Sequence, residues 1–460
     1  MTTIDTDRLR ERLKELMAEH KVPGASLGIL HDGEITEVAA GLANKREGIE
    51  VTTDTVFQIG SITKSWTATV VMQLVDEGVL DLDEPVKKYL PEFAVADADV
   101  TAKVTLRHLL SHTSGIQGDH FEDSGRGDDC LEKYVASCAD LTQTHPLGAT
   151  MSYCNSGYNI AGRLLEVVLD KTWDAVMKER LFAPLGLTHT STLPEEAILR
   201  RAAVGHIALE PGADPEVAPI WVLPRNAGPA GLINSTARDT LAFARLHLDE
   251  GCTADGTQLL SPASVKAMQE AQVDVPDRYT LGDQWGLGWI LFHWGDRFLY
   301  GHDGATIGQG AFLRILPDAK IAIALLTNGG AARDLYTQLY RELFRDLAGV
   351  EVPATPAPPE TPLELDLSKY AGTFERLGVK TELVVDGARL AGTMTMSGAL
   401  ASMLPDPVQR MSVTPVDDSL FLAVSDDDED KSPTPFVFFD FEDGRPQYFH
   451  MGARAMPRVS

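Results

Sequence analysis

Leu9, Leu13, Leu16 and Met17 recur at steps of three and four in an otherwise charged stretch, which predicts an amphipathic helix near the amino terminus. A hairpin follows, because apolar-rich segments 25–30 and 34–39 flank His31-Asp32-Gly33 and Asp-Gly is a strong tight-turn signal. Trp66, Val70, Leu74 and Val75 then mark a helix that runs toward Gly78. From about residue 80 to 275 the pattern is mostly helical with long loops, which predicts a helical lobe inserted into a sheet. Strand character returns at 285–290 and 321–326, and Leu335, Leu339, Leu343 and Leu347 mark a closing helix.

Five prolines among residues 351–362 predict a stiff, extended linker. Beyond it, short strand candidates at 370–374, 381–385, 420–424, 436–441 and 448–451 are separated by turns and predict a small antiparallel β-barrel. The elements predict an α/β (α+β) chain: a sheet with helices and an inserted helical lobe over residues 1–350, a linker over 351–362, and a barrel domain over 363–460.

The chemistry starts in Phe57-Gln58-Ile59-Gly60-Ser61-Ile62-Thr63-Lys64. Residues three apart share a helical face, so the Lys64 amine can reach the Ser61 hydroxyl, a weak nucleophile until a base or a cation assists it. Ser-x-x-Lys alone is a common pattern, and Ser61 read by itself is equally a helix cap. Two further motifs follow in order: Tyr153-Cys154-Asn155, of the form Tyr-x-Asn, and Tyr300-Gly301-His302-Asp303-Gly304-Ala305 in a Gly-rich stretch. With Leu109-Leu110-Ser111-His112-Thr113-Ser114-Gly115 between Lys64 and Tyr153, the set resembles the penicillin-binding-protein and class C β-lactamase family of serine hydrolases over roughly residues 8 to 348.

That resemblance implies a class C β-lactamase-like antiparallel sheet with flanking helices, with Ser61 as nucleophile, Lys64 as its partner and Tyr153 as general base and acid. Asn155 would hold the substrate's amide carbonyl, the backbone N–H groups of Ser61 and Ala305 would form an oxyanion hole, and Gly304 would line the substrate site beside it. His302 stands where many members carry a lysine; this His-x-Gly variant is similar to esterases, D-aminopeptidases, amidases and peptide-offloading cyclases, and strong β-lactamase activity is not expected. The terminal barrel resembles a lipocalin-like appendage of members that act on D-residue peptides. A Tyr–Lys–Ser cluster is chemically coherent if Lys64 lowers the cost of a Tyr153 anion.

Each residue also has a plainer reading: Tyr153 as a packed aromatic, Asn155 and His302 as turn residues, Cys154 as a space-filler. Arg454 either meets a substrate carboxylate, if the barrel docks over the cleft, or forms a structural ion pair. His108 and His112 lie four apart but lack a third ligand, and the acidic run at 426–430 reads as a solvated loop, so no metal or other cofactor is expected. Absence of Gly-x-Ser-x-Gly argues against an α/β-hydrolase.

The chain has 460 residues, 44% of them hydrophobic, enough for two or three domains. Its net charge of −27 disfavours nucleic acid and anionic membranes. No apolar stretch approaches the roughly 20 residues of a membrane span, and the charged amino terminus lacks the apolar core of a secretion signal, so a cytoplasmic location is expected. Four cysteines fit that compartment; Cys130 and Cys138, about 12 Å apart on one helix, are too distant to pair. The favoured function is a stand-alone thioesterase and cyclase that offloads nonribosomal peptides, with the substrate free or carrier-bound. D-aminopeptidase, amidase and small-ester hydrolase are the alternatives, and a non-catalytic binding protein is the reading of a different class.

Overall fold

The computed structural model describes residues 4–460 except 211, 362, 399–400, 402–405 and 427–431. Most of the acidic run at 426–430 therefore lies outside the described residues. Among those described, nine antiparallel strands form the central sheet. Their order is Ile49–Glu50, Glu34–Asn44, Gly24–His31, Ile321–Thr327, Gln309–Leu316, Arg297–Thr306, Ile290–Trp294, Gln284–Trp285 and Val273–Asp274.

The hairpin forms where Asp-Gly places it: His31 pairs with Glu34, and Asp32 and Gly33 both have positive φ, as this tight turn requires. The expected strand at 285–290 is split in two. Gly286 comes so close to the Met268 carbonyl that a Cβ there would lie 2.2 Å from its oxygen, and Gly288 turns with φ of 82°.

Helices cover both faces of the sheet. On one face Thr6–Glu19 and Ala332–Ala348 bury Leu9, Leu13, Leu335 and Leu339, and Arg12 joins them through Glu342 at 2.7 Å. On the other face Thr63–Asp76 and Ala237–Leu248 lie against the helical lobe. Trp66, fully buried, stacks on Phe243 with centroids 4.1 Å apart and meets Phe182 edge-on at 5.9 Å. Such aromatic contacts add about 1 kcal/mol each beyond the area they bury, which fixes the nucleophile helix against the lobe.

Among the described residues of 351–362 there is no helix or strand. The carboxy-terminal sheet has eight strands running in chain order from Gly372–Arg376 to Arg454–Pro457, and a bridge between Phe374 and Arg458 nearly closes it into a barrel. Phe374, Phe421, Phe436, Phe438 and Phe449 fill its interior. Three of its strands, Arg389–Met396, Val408–Pro415 and Arg454–Pro457, escape the sequence pattern because polar or small residues interrupt their apolar positions.

Candidate active site

Ser61 sits in the short 3₁₀ turn Gly60–Ile62 that leads into the helix Thr63–Asp76, and Lys64 occupies that helix's first turn. Lys64 is fully buried, and its Nζ lies 3.0 Å from Ser61 Oγ, 2.8 Å from Asn155 Oδ1 and 2.7 Å from the Ala230 carbonyl oxygen. Burial drives the Lys64 pKa well below the ordinary lysine value, and the Arg454 charge adds to this.

Tyr153 and Cys154 lead into the helix Asn155–Leu169, with the Cys154 thiol accepting the Gly157 N–H as its cap. The Tyr153 ring stands 4.8 Å from Lys64 Nζ, packs tilted against His112 at 4.3 Å and meets Trp285 edge-on at 5.6 Å. Burial pushes the Tyr153 phenol above its usual value, outweighing the Ser61 hydroxyl and Arg454, while it drives the neighbouring Lys64 amine the other way.

Asn155 donates Nδ2–H to Asp119 at 3.2 Å, which turns its Oδ1 toward Lys64. An amide nitrogen carries two protons, and Asp119 takes one. Asp119 escaped notice in the sequence, yet it is a buried hub. It accepts from Arg454 at 2.9 and 3.0 Å and from Arg376 at 2.8 Å. Burial alone would raise the Asp119 pKa, but the two guanidinium groups outweigh that and hold it down to about 2. Its one sequence signal is its place just after His112-Thr113-Ser114-Gly115.

His302, on the strand Arg297–Thr306, donates Nδ1–H to the Asp303 carbonyl at 2.6 Å. Burial, aided by Lys64, depresses its pKa to about 3, so the ring is neutral and its Nε2 presents a lone pair. Its neighbour Asp303 is bound by Arg314 at 2.6 Å and Arg333 at 3.0 Å, which ties this strand to the sheet and to the closing helix.

Gly304 serves close approach. A Cβ there would lie 1.9 Å from the Ile59 carbonyl oxygen and 3.0 Å from Ser61 N, and one on Gly60 would lie 2.5 Å from Ala305 N. The strand backbone thus lies against the Ser61 turn, and the amides of Ser61 and Ala305 neighbour each other.

The barrel docks at this cleft. Tyr153 N donates to Ala453 O at 2.8 Å, Ala455 N to Ser152 Oγ at 3.2 Å and His450 Nε2 to Met151 O at 3.2 Å. Arg454 lies 5.0 Å over the Tyr153 ring while paired with Asp119. Arg454 is thus an ion-pair partner of Asp119 and a neighbour of Tyr153.

The remaining candidates have structural partners. His108 Nδ1 lies 2.9 Å from Thr105 Oγ1 in a helix-capping box, and His112 Nδ1 accepts the Cys154 N–H at 3.0 Å. The four cysteines are free thiols. Among the described residues no group of three or more His, Cys, Asp or Glu side chains is arranged to hold a metal, and no helix is long and apolar enough to cross a membrane.

A family profile described as Beta-lactamase matches residues 9–344. The chain belongs to the β-lactamase family. That family is one of serine hydrolases, and the antiparallel sheet with flanking helices is its fold. A relative within it, "Penicillin-binding protein 4" of Amycolatopsis lactamdurans, is 49% identical over 371 residues, covering 80% of this chain and 97% of that protein. Among solved structures, the crystal structure of SurE superposes with a TM-score of 0.80 at 31% identity and covers 99% of both chains, the barrel included. SurE with D-Leu superposes with a TM-score of 0.78 at 30% identity, again over 99% of both chains.

Proposed function

We propose that this protein is a cytoplasmic acyl-transfer enzyme that forms an acyl-enzyme at Ser61, and that it releases and cyclises peptides from thioesters whose reacting residue is D-configured. The contact set of Lys64 carries the catalytic part. Two of its three neighbours, the Ala230 carbonyl and Asn155 Oδ1, only accept hydrogen bonds, so a neutral amine gives them its two protons and turns its lone pair on the Ser61 hydroxyl.

Lys64 then takes the hydroxyl proton as Oγ attacks the thioester carbonyl carbon. Charge on the carbonyl oxygen is met by the Ser61 and Ala305 N–H groups, each contributing about 3 kcal/mol by analogy with other acyl-transfer enzymes. The C–S bond breaks and the thiolate leaves with a proton from the Tyr153 phenol, which Lys64 replaces. In the second half an amine or water attacks the ester carbon, its proton passes to Lys64, and Ser61 Oγ leaves and is reprotonated.

Three observations support the substrate class: His302 is neutral, the barrel borders the cleft, and SurE, solved with D-Leu, matches the chain end to end. The free thiols agree with a reducing compartment. Intact-mass measurement after incubation with a peptidyl thioester should show one acyl adduct on wild type and none on Ser61→Ala. Cyclic product supports the cyclase; linear product alone points to a hydrolase, and no adduct with any acyl probe points to a binding protein.

A further inference from the structure

We propose that the carboxy-terminal barrel tunes the catalytic lysine through Asp119, with Arg376 as a positioning residue that acts from outside the cleft. The inference rests on the acyl-enzyme reading above and concerns the same site. A continuous chain of hydrogen bonds carries it: Arg376 and Arg454 to Asp119, Asp119 to Asn155, Asn155 to Lys64, and Lys64 to Ser61. Both ends belong to different domains. Arg376 ends the strand Gly372–Arg376, its side chain is 10% exposed, and the following Leu377 N–H is held by Gln117 Oε1 at 3.0 Å.

Charge arithmetic gives the chain its function. Asp119 alone would favour the Lys64 cation and so disable it as a base; Arg454 opposes that cation directly, and Arg376, ion-paired with Asp119, offsets the carboxylate's own charge. The other groups facing Lys64 are Ser61 in its own turn, Tyr153, Cys154 and Tyr158 from the lead-in and helix at 153–169, His112 from the lobe and His302 from the sheet. His112 and His302 are held neutral and the phenols and thiol are protonated, so Asp119 and Arg454 are the formal charges that act on Lys64 directly, and Arg376 acts on it through Asp119. Arg454 also borders the cleft, where its loss would mix substrate effects with charge effects. Arg376 is therefore the clean probe.

The experiment is the pH dependence of Ser61 labelling by a fluorophosphonate on the full chain, read by intact mass, for wild type, Arg376→Gln, Arg376→Lys and Asp119→Asn. A neutral lysine is the reactive form, so labelling rises with pH through the Lys64 pKa. Arg376→Gln should move that acidic limb upward by about half a pH unit, roughly threefold slower labelling at a pH on the limb, with the high-pH plateau kept within about twofold. Arg376→Lys should restore the limb by restoring the charge, and Asp119→Asn should move it the opposite way. A folded Arg376→Gln whose limb overlays wild type overturns the proposal, as does an equal displacement in Arg376→Gln and Arg376→Lys, which would report lost packing. If Asp119→Asn does not fold, the two Arg376 variants decide alone. Failure to label wild type would overturn the acyl-enzyme reading itself, a separate result from labelling with an unmoved limb.

Discussion

Gly304→Ala isolates the geometry on which the oxyanion site depends. An added Cβ would lie 1.9 Å from the Ile59 carbonyl oxygen and 2.8 Å from its carbon, both backbone atoms of the segment that leads into Ser61. An ordinary carbon–oxygen contact is about 3.3 Å, so strand and turn must separate by roughly 1.4 Å. Oxyanion donors work at about 2.7–3.1 Å, and a displacement of that size takes the Ala305 N–H out of range of an oxygen still held by Ser61 N. Losing one such donor costs about 3–4 kcal/mol, equivalent to roughly 10²- to 10³-fold in kcat. The assay is kcat and KM with an activated ester or thioester, beside thermal unfolding. Gly301→Ala is the control, because its Cβ would lie 2.0 Å from the Leu313 carbonyl oxygen in the same sheet but away from the Ser61 turn. Both variants should lose stability, and only Gly304→Ala should lose kcat beyond what its unfolded fraction explains. A Gly304→Ala enzyme with kcat within threefold of wild type would refute the placement of the oxyanion site between Ser61 and Ala305.

Lys64→Arg keeps a cation but puts a permanently protonated group beside Ser61, so acylation should fall by roughly 10²- to 10⁴-fold. Near-normal acylation would show that Lys64 acts as a charge and not as a base. His247, His302 and His450 are buried with pKa values depressed to about 3, so each is neutral when folded and protonated below about 6.5 when unfolded. Their stabilising effect is present above pH 6.5 and is lost as pH falls toward 3, by up to about 1.4 kcal/mol per pH unit for each imidazole. Urea unfolding at pH 7 and pH 5 measures it, and equal midpoints would contradict the neutral assignment. With neutral His302 in place of a lysine, a β-lactam carboxylate lacks that charge-assisted hydrogen bond, an interaction of about 1.5–3 kcal/mol. Nitrocefin turnover should therefore run at least about tenfold behind thioester turnover; efficient nitrocefin hydrolysis would count against the acceptor role of His302.

Local features were the most legible. The Asp-Gly hairpin, the helix carrying Lys64 and the amino-terminal apolar stripe lie where spacing and turn chemistry put them, because each depends on neighbours a few residues away. The order of the three motifs was enough to gather Ser61, Lys64, Tyr153 and Asn155 as one candidate site. What pattern missed was of two kinds. The strand Arg389–Met396 hid because Gly392 interrupts its buried face between Leu390 and Met394. Asp119 hid because a single acidic residue in a loop has no periodicity at all.

The sequence by itself determined the chemistry on offer: a hydroxyl and an amine one helical turn apart, a phenol and an amide two residues apart, and a histidine in a Gly-rich stretch. Tertiary structure alone decided how those groups are charged. Burying Lys64 and Tyr153 together moved their proton affinities in opposite directions, the amine down and the phenol up. Folding also brought Arg376 and Arg454, more than 250 positions along the chain, onto Asp119. Desolvation and long-range ion pairing depend on what surrounds a group in three dimensions, and no spacing rule along a chain encodes that surrounding.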